Sequence, residues 1–109
     1  KEKLTGPFNS TRDLMKDLMR DRPVYSTRFK KDVLLAMKRG KDMGKLATVV
    51  ELLCTGDPLP ERYRDHPLSG RYAGFRDCHI EPDWVLLYRI EKNQLQLILV
   101  RMGTHSDLF

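Results

Sequence analysis

Four side chains toward the end of the chain are of the types that move protons and bind phosphate: His79, Asp83, Arg101 and His105. Imidazole is the side chain whose ordinary pKa, about 6.5, lets it give and take protons near neutral pH. A guanidinium offers phosphate oxygens a planar fork of donors. Cleavage of an RNA phosphodiester needs such groups together. A base takes the proton of the ribose 2′-hydroxyl, an acid protonates the departing 5′-oxygen, and a cation faces the charge gathering at phosphorus. Asp83 or His79 fits the base, His105 the acid and Arg101 the cation. Trp84, Tyr88, Phe75 and Phe109 are available to stack on an unpaired base.

Strands must assemble this set. Residues 74–80, 84–90 and 95–102 read as three strands separated by the polar turns Glu81-Pro82-Asp83 and Glu91-Lys92-Asn93-Gln94. With those turns Ile80 faces Trp84 and Ile90 faces Leu95. The same register carries Arg101 opposite Trp84, so His79, Asp83 and Arg101 share one end of the sheet. Gly103 lets the chain bend and return His105 to that end. His66 lies in a loop marked by Pro58, Pro60 and Pro67, and its destination does not follow from the residues. Each group also has an ordinary use. A strand histidine is often structural, Asp83 after Pro82 is a common turn residue, and Arg101 has Asp83 and Asp107 within reach as ion-pair partners. Trp84 and Tyr88 share a strand face with Leu86 and Ile90, which places at least one of them in the core.

Helices precede the strands. After a short strand at Val24-Tyr25, Ser26 or Thr27 caps a helix with Phe29, Val33, Ala36 and Met37 on one face, closed by Gly40. Leu46, Val49, Val50 and Leu53 mark a second helix, ended by Gly56 in a left-handed cap. The order predicts an α+β domain, a helical hairpin packed on one face of a small, mostly antiparallel sheet. Lys30, Lys31, Lys38, Arg39, Lys41 and Lys45 line the solvated side of the hairpin, either as a soluble surface or as a track for phosphates. Residues 1–22 read as an N-terminal extension with a short amphipathic helix, its stripe formed by Leu14, Met15, Leu18 and Met19 and its end set by Pro23. Residues 23–109 form the main domain.

At 109 residues one core is the economical arrangement, and 40% hydrophobic residues are enough to build it. Twenty Lys and Arg against 15 Asp and Glu give a formal charge of +5, which favours an anionic partner. No apolar run approaches the roughly 20 residues of a membrane span, and no signal segment opens the chain, so a soluble, cytoplasmic protein is expected. Cys54 and Cys78 stand apart, without neighbours at zinc-ligand spacing. Neither a disulfide framework nor a metal or other cofactor is expected.

Three runs extend this reading: Tyr63-Arg64-Asp65-His66-Pro67-Leu68-Ser69-Gly70, then Gly74-Phe75-Arg76-Asp77-Cys78-His79-Ile80-Glu81-Pro82-Asp83-Trp84, and Arg101-Met102-Gly103-Thr104-His105-Ser106-Asp107-Leu108-Phe109. They closely resemble the YafQ family of bacterial toxins in the RelE/ParE superfamily. Phe29-Lys30-Lys31-Asp32-Val33 and Lys38-Arg39-Gly40-Lys41-Asp42-Met43 fit its helical region. The resemblance implies a RelE-like fold and a bacterial, cytoplasmic, metal-independent messenger RNA interferase. It implies further that the enzyme works on the ribosome, cutting the A-site codon to a 2′,3′-cyclic phosphate, and is held inactive by a cognate antitoxin. The family's site pattern carries over onto His66, His79, Asp83, Trp84, Arg101, His105 and Phe109; the roles of His66 and Phe109 rest on the resemblance alone. Two features depart from the family. Pro23 stands where its first strand begins, which shortens that strand or confines it to an edge. Residues 1–22 are not usual there, and their apolar stripe suits docking in a groove. The alternative is the ParE branch, a non-catalytic inhibitor of DNA gyrase with the same fold, which would not require the His79, Asp83, Arg101 and His105 set.

Overall fold

The computed structural model describes residues 23–91 and 96–109. The expected N-terminal helix and most of the Glu91–Gln94 turn lie outside the described residues.

Helix α1 (Thr27–Lys38) starts where Ser26, in an extended conformation, accepts the Phe29 N–H on its hydroxyl at 2.9 Å. Helix α2 (Met43–Thr55) is capped in the same way by Asp42 through the Gly44 N–H. It ends at Gly56 with φ 81°, the left-handed geometry that a residue without Cβ adopts freely. Phe29 and Ala36 of α1 are buried, whereas Met37, expected on the same face, is 56% exposed. The third buried residue of the helix is Asp32, whose carboxylate reaches the sheet.

Five strands form one sheet in the order β1 (Val24–Tyr25), β5 (Gln96–Gly103), β4 (Trp84–Glu91), β3 (Arg76–Glu81), β2 (His66–Pro67). Only the β1–β5 pair is parallel. Strand β1 is a two-residue edge strand that starts after Pro23, as the position of that proline requires. Pro67 lies in the opposite edge strand, where its missing N–H costs no interior ladder bond. The loop expected to be irregular from Asp57 to Gly70 therefore supplies a strand, flanked by 3-10 turns at Glu61–Tyr63 and Gly70–Tyr72.

One face of the sheet carries Cys78, Ile80, Trp84, Leu86, Tyr88, Leu97, Leu99 and Met102. It shares a continuous core with Phe29 and Ala36 of α1 and Leu46, Val49, Val50, Leu53 and Cys54 of α2. The face behind it bears Asp77, His79, Val85, Leu87 and Arg101, as the alternation and pairing require. A last short helix, α3 (His105–Leu108), follows β5. Thr104 and Asp107 close a reciprocal capping box at its start.

Two register expectations are corrected. Glu81, not Ile80, stands opposite Trp84, because a bulge leaves Ile80 unpaired and shortens the turn to Pro82-Asp83. Ile90 pairs with Leu97 rather than Leu95, and Arg101 pairs with Leu87 rather than Trp84. The longer β4–β5 connection moves the pairing by two residues, and a second bulge at Val100 moves it by one more.

Candidate active site

The exposed groups gather behind the sheet, at the end where β3 turns into β4. His79 projects from β3 beside Val85, and its Nδ1 lies 3.0 Å from the Pro82 carbonyl oxygen. A carbonyl can only accept, so this contact assigns the proton to Nδ1 and leaves the Nε2 lone pair free. His105, the first residue of α3, stacks obliquely against it with ring centroids 5.3 Å apart. Asp83, in the tight turn, accepts the His105 backbone N–H at 3.1 Å, and the same oxygen lies 3.5 Å from His105 Nδ1. That backbone bond, ahead of the neighbouring imidazole, holds the Asp83 carboxyl below its ordinary pKa. Asp83 is thereby a weaker base and a better fixed anion beside His105.

His66 arrives on β2 opposite Asp77. Its Nε2 is 2.8 Å from Asp77 Oδ1 and its Nδ1 is 3.0 Å from the Pro67 carbonyl oxygen. Asp77 is 3% exposed, and the facing oxygen has no hydrogen-bond partner among the described residues other than this imidazole contact. The loop that delivers His66 is tied down through Asp65. That carboxylate accepts the Tyr88 hydroxyl and two nitrogens of Arg76, at 3.3 Å and 3.1 Å. Burial, reinforced by the Asp65 bond, pushes the Tyr88 phenol up, so Tyr88 stays a neutral donor. One residue before Asp65, Arg64 has a left-handed φ of 52° that turns the chain out of its 3-10 helix and into β2.

Phe109 lies 6.0 Å from the His105 ring and edge-on to Tyr72 at 5.3 Å; at 53% exposure its face is open to a base. Arg101 shares the sheet face but not the contacts expected of it. Its Nε and Nη2 bond Asp32 at 3.1 and 3.2 Å, and its Nη1 is 3.5 Å from the Asp107 carbonyl oxygen. The alternative ion pair with Asp83 or with the Asp107 carboxylate does not form; Asp32 takes that place. Asp107 is engaged by Arg39 at 2.8 Å and by the Thr104 N–H.

Other expectations separate here. Trp84, expected to contact substrate, is 2% exposed with its ring in the core, under the Lys41 ammonium at 5.6 Å. Alternation along β4 puts Trp84 and Tyr88 on the core face with Leu86, so stacking on a base is closed to Trp84 and to Tyr88, which is 1% exposed. Lys41 is bonded to Glu81 at 3.1 Å and serves the fold as well as any ligand. Lys30, Lys31 and Lys38 are exposed along α1. An open cleft of about 600 Å³ adjoins His79, walled by Lys45, Arg62, Arg64 and Glu81.

The residues alone did not select Asp32, Asp65, Asp77 or Tyr72. Asp32 and Asp77 carried a signal, a carboxylate on an apolar helix stripe and another two positions before a strand histidine, both buried. His66, Asp77 and His79 also place ligand atoms within 4.8 Å of one another, a set able to hold a divalent cation. That possibility was missed because the three lie on two strands rather than in a spaced motif.

A small mixed sheet with a helical hairpin on one face and convergent histidines on the other defines a compact α+β protein of the RelE-like class, and the comparisons agree. The family model for the bacterial toxin YafQ of type II toxin–antitoxin systems matches residues 21–109. The chain is 49% identical over 86 residues to the mRNA interferase toxin YafQ of Escherichia coli K12, covering 78% of this chain and 91% of that one. The crystal structure of the E. coli DinJ–YafQ complex matches with a TM-score of 0.76 and 48% identity, covering 84% of this chain and 99% of that chain. A metal-bound toxin from Helicobacter pylori matches with a TM-score of 0.74 and 46% identity, covering 78% and 94%. This chain therefore belongs to the YafQ family of type II toxins.

Proposed function

We propose that this chain is an endoribonuclease that cuts messenger RNA in the ribosomal A site by acid–base catalysis, and that a cognate antitoxin holds it inactive in the bacterial cytoplasm. The observation that carries the reading is the pair of imidazoles His79 and His105, 5.3 Å apart, each with a different partner on Nδ1. His79 is the base. With the proton on Nδ1 committed to Pro82, its Nε2 accepts the 2′-hydroxyl proton as the 2′-oxygen forms its bond to phosphorus. His105 is the acid. Asp83 lies beside its Nδ1, and His105 in its protonated form gives a proton to the 5′-oxygen as the P–O5′ bond breaks. The products are a 2′,3′-cyclic phosphate and a free 5′-hydroxyl. Arg101 faces the charge on the phosphate oxygens, Phe109 stacks on a neighbouring base, and His66, backed by Asp77, borders the site.

The acid, base and cation are all protein groups, so the reaction needs no metal. A divalent ion held by His66, Asp77 and His79 competes for an imidazole lone pair that the chemistry uses. Lys30, Lys31 and Lys38 supply a basic helix face toward the ribosome's RNA. Among the described residues no helix is long and apolar enough to cross a membrane.

The test is to program purified ribosomes with a defined message and map 5′ ends after adding the chain, its His79→Ala variant or its His105→Ala variant, with and without a chelator that takes transition metals but leaves the magnesium the ribosome needs. Cuts confined to the A-site codon, lost in both variants and kept under chelation, are expected. An intact message with the unmodified chain would remove the reading, and loss of cleavage to the chelator would remove its metal-free form.

A further inference from the structure

The side chain that would bind the scissile phosphate does not reach the site face by strand alternation, and the reason lies on a different element. Leu97 and Leu99 point into the helix-covered core, so an unbroken β5 would aim Arg101 into that core as well. The extra residue Val100 reverses the parity. Leu99 pairs with Tyr88 and Arg101 with Leu87, so Arg101 emerges on the face of Asp77, His79 and Val85. A bulge strands backbone groups as well as turning side chains. Here Ser26 Oγ donates to the Val100 carbonyl at 2.6 Å, and Asp32 Oδ2 accepts the Met102 N–H at 2.9 Å. Both come from α1, Ser26 as its cap and Asp32 as a buried position near its middle.

Resting on the reading of Arg101 as the phosphate-binding group, we propose that Asp32 is a positioning residue that fixes the Arg101 guanidinium for the reaction. Its two oxygens take Nε and Nη2 in parallel bonds at 3.1 and 3.2 Å, which sets the plane of the guanidinium as well as its place. The Nη1 edge is left facing away from Asp32, toward α3 and the Asp107 carbonyl. The arrangement is poorly explained by stability alone. Asp32 is 7% exposed, and a buried ion pair seldom outperforms apolar side chains of the same volume. A neutralising carboxylate also weakens rather than strengthens attraction for RNA. Its use lies in geometry, because a clamp already oriented requires no reorganisation as charge develops at phosphorus.

The two roles separate in kinetics. On programmed ribosomes, Asp32→Asn is expected to lower kcat about 10- to 100-fold with KM unchanged or lower, since a buried negative charge has gone while the guanidinium has lost its fixed plane. Rates are scaled to the folded fraction from a melt of each variant. Arg101→Ala is expected to lower kcat further, and adding Asp32→Asn to Arg101→Ala to change it no more than about twofold, because positioning acts only through the positioned group. The double variant removes both charges and leaves no lone buried one, so it remains measurable even where Asp32→Asn folds poorly. An Asp32→Asn chain that cuts at the unmodified rate per folded molecule overturns the proposal. So does a full Asp32→Asn loss on top of Arg101→Ala. Unimpaired cleavage by Arg101→Ala overturns the clamp itself and its positioning with it, a result distinct from the other two.

Discussion

The two faces of the sheet are built by different rules. The helix-covered face is a run of apolar residues placed by regular period, two along the strands and 3.6 along the helices: Leu97 and Leu99, Leu86 and Tyr88, Leu46 and Val49 with Val50 and Leu53. The other face receives its polar groups from many elements. His66 comes from an edge strand, His79 from β3, Asp83 from a turn, Arg101 from beyond a bulge and His105 from the helix α3. Regular period makes a core because burial needs only apolar character at the right spacing. A site needs particular groups at particular places, and here all but His79 arrive through a turn, a bulge, an edge or a helix start rather than through the period of a long strand.

The sharpest way to break this contrast is to truncate one residue on each face. His105→Ala removes the proposed acid and is expected to lower cleavage about 10²- to 10⁴-fold, with a melting temperature close to that of the unmodified chain. Leu86→Ala, with no exposure to lose, is expected to cost about 2–5 kcal/mol and to leave the rate per folded molecule unchanged. The measurements are thermal melts paired with cleavage of a defined message on ribosomes. Equal loss of stability in both variants would mean that the faces are not independent.

A subtler disturbance acts between them. A Cβ added at Gly103 would lie 2.8 Å from Asp107 Oδ2 and 2.9 Å from its Cβ. Asp107 has little room to yield, since Arg39 and the Thr104 N–H hold its carboxylate. Gly103→Ala must therefore shift α3, which carries His105. A misplacement of this kind is expected to cost up to about 10²-fold in kcat while the core stays intact. Near-normal cleavage by Gly103→Ala would show that the position of α3 is not set by this contact.

The faces also differ in how far the sequence exposes them. Caps at Ser26 and Gly56, the stripe of α2 and the three long strands were legible because each rests on a local rule, whereas the stripe of α1 was read with Met37 in place of Asp32. So was the convergence of His79, Asp83 and His105, which needs only one tight turn and one bend. The partner of Arg101 was not legible. Alternation carries no count of an extra residue, so the bulge at Val100 and its support from α1 are invisible until the strands are paired. His66 was legible as chemistry but not as position, because the Tyr88–Asp65–Arg76 network that directs its loop joins three separate segments.

Trp84 tests the boundary in the other direction, since its neighbours in sequence belong to the site while its ring belongs to the core. Its indole N–H is buried without a hydrogen-bond partner among the described residues. Trp84→Phe discards that unpaired donor and leaves a smaller ring, two effects of opposite sign, so a net change within about 2 kcal/mol is expected. Cleavage per folded molecule should not change. A large fall in cleavage without a fall in melting temperature would return Trp84 to the substrate.

The smallest effect concerns the seam that ties α3 to α1. The Arg39 guanidinium bonded to Asp107, followed by the Thr104 N–H, lowers the Asp107 carboxyl to about 2. A free aspartate titrates near 3.9, so folding favours the ionised form. The stabilisation is fully present above about pH 4 and is lost as pH falls through the folded value near 2. Asp83, held down chiefly by the His105 N–H, acts with the same sign. Both carboxylates meet solvent and salt screens them, so the consequence is local fraying of α3 ahead of the sheet. Following the Thr104 and His105 amide resonances from pH 6 down to pH 2 should show Thr104 moving at the low end and His105 moving below the ordinary aspartate range, with the Leu86 and Leu99 amides still protected. Asp107→Asn should abolish the Thr104 transition. A Thr104 amide that titrates near pH 4 would mean that Asp107 is not gripped by Arg39 in solution, and that the helix bearing His105 is held from the sheet side alone.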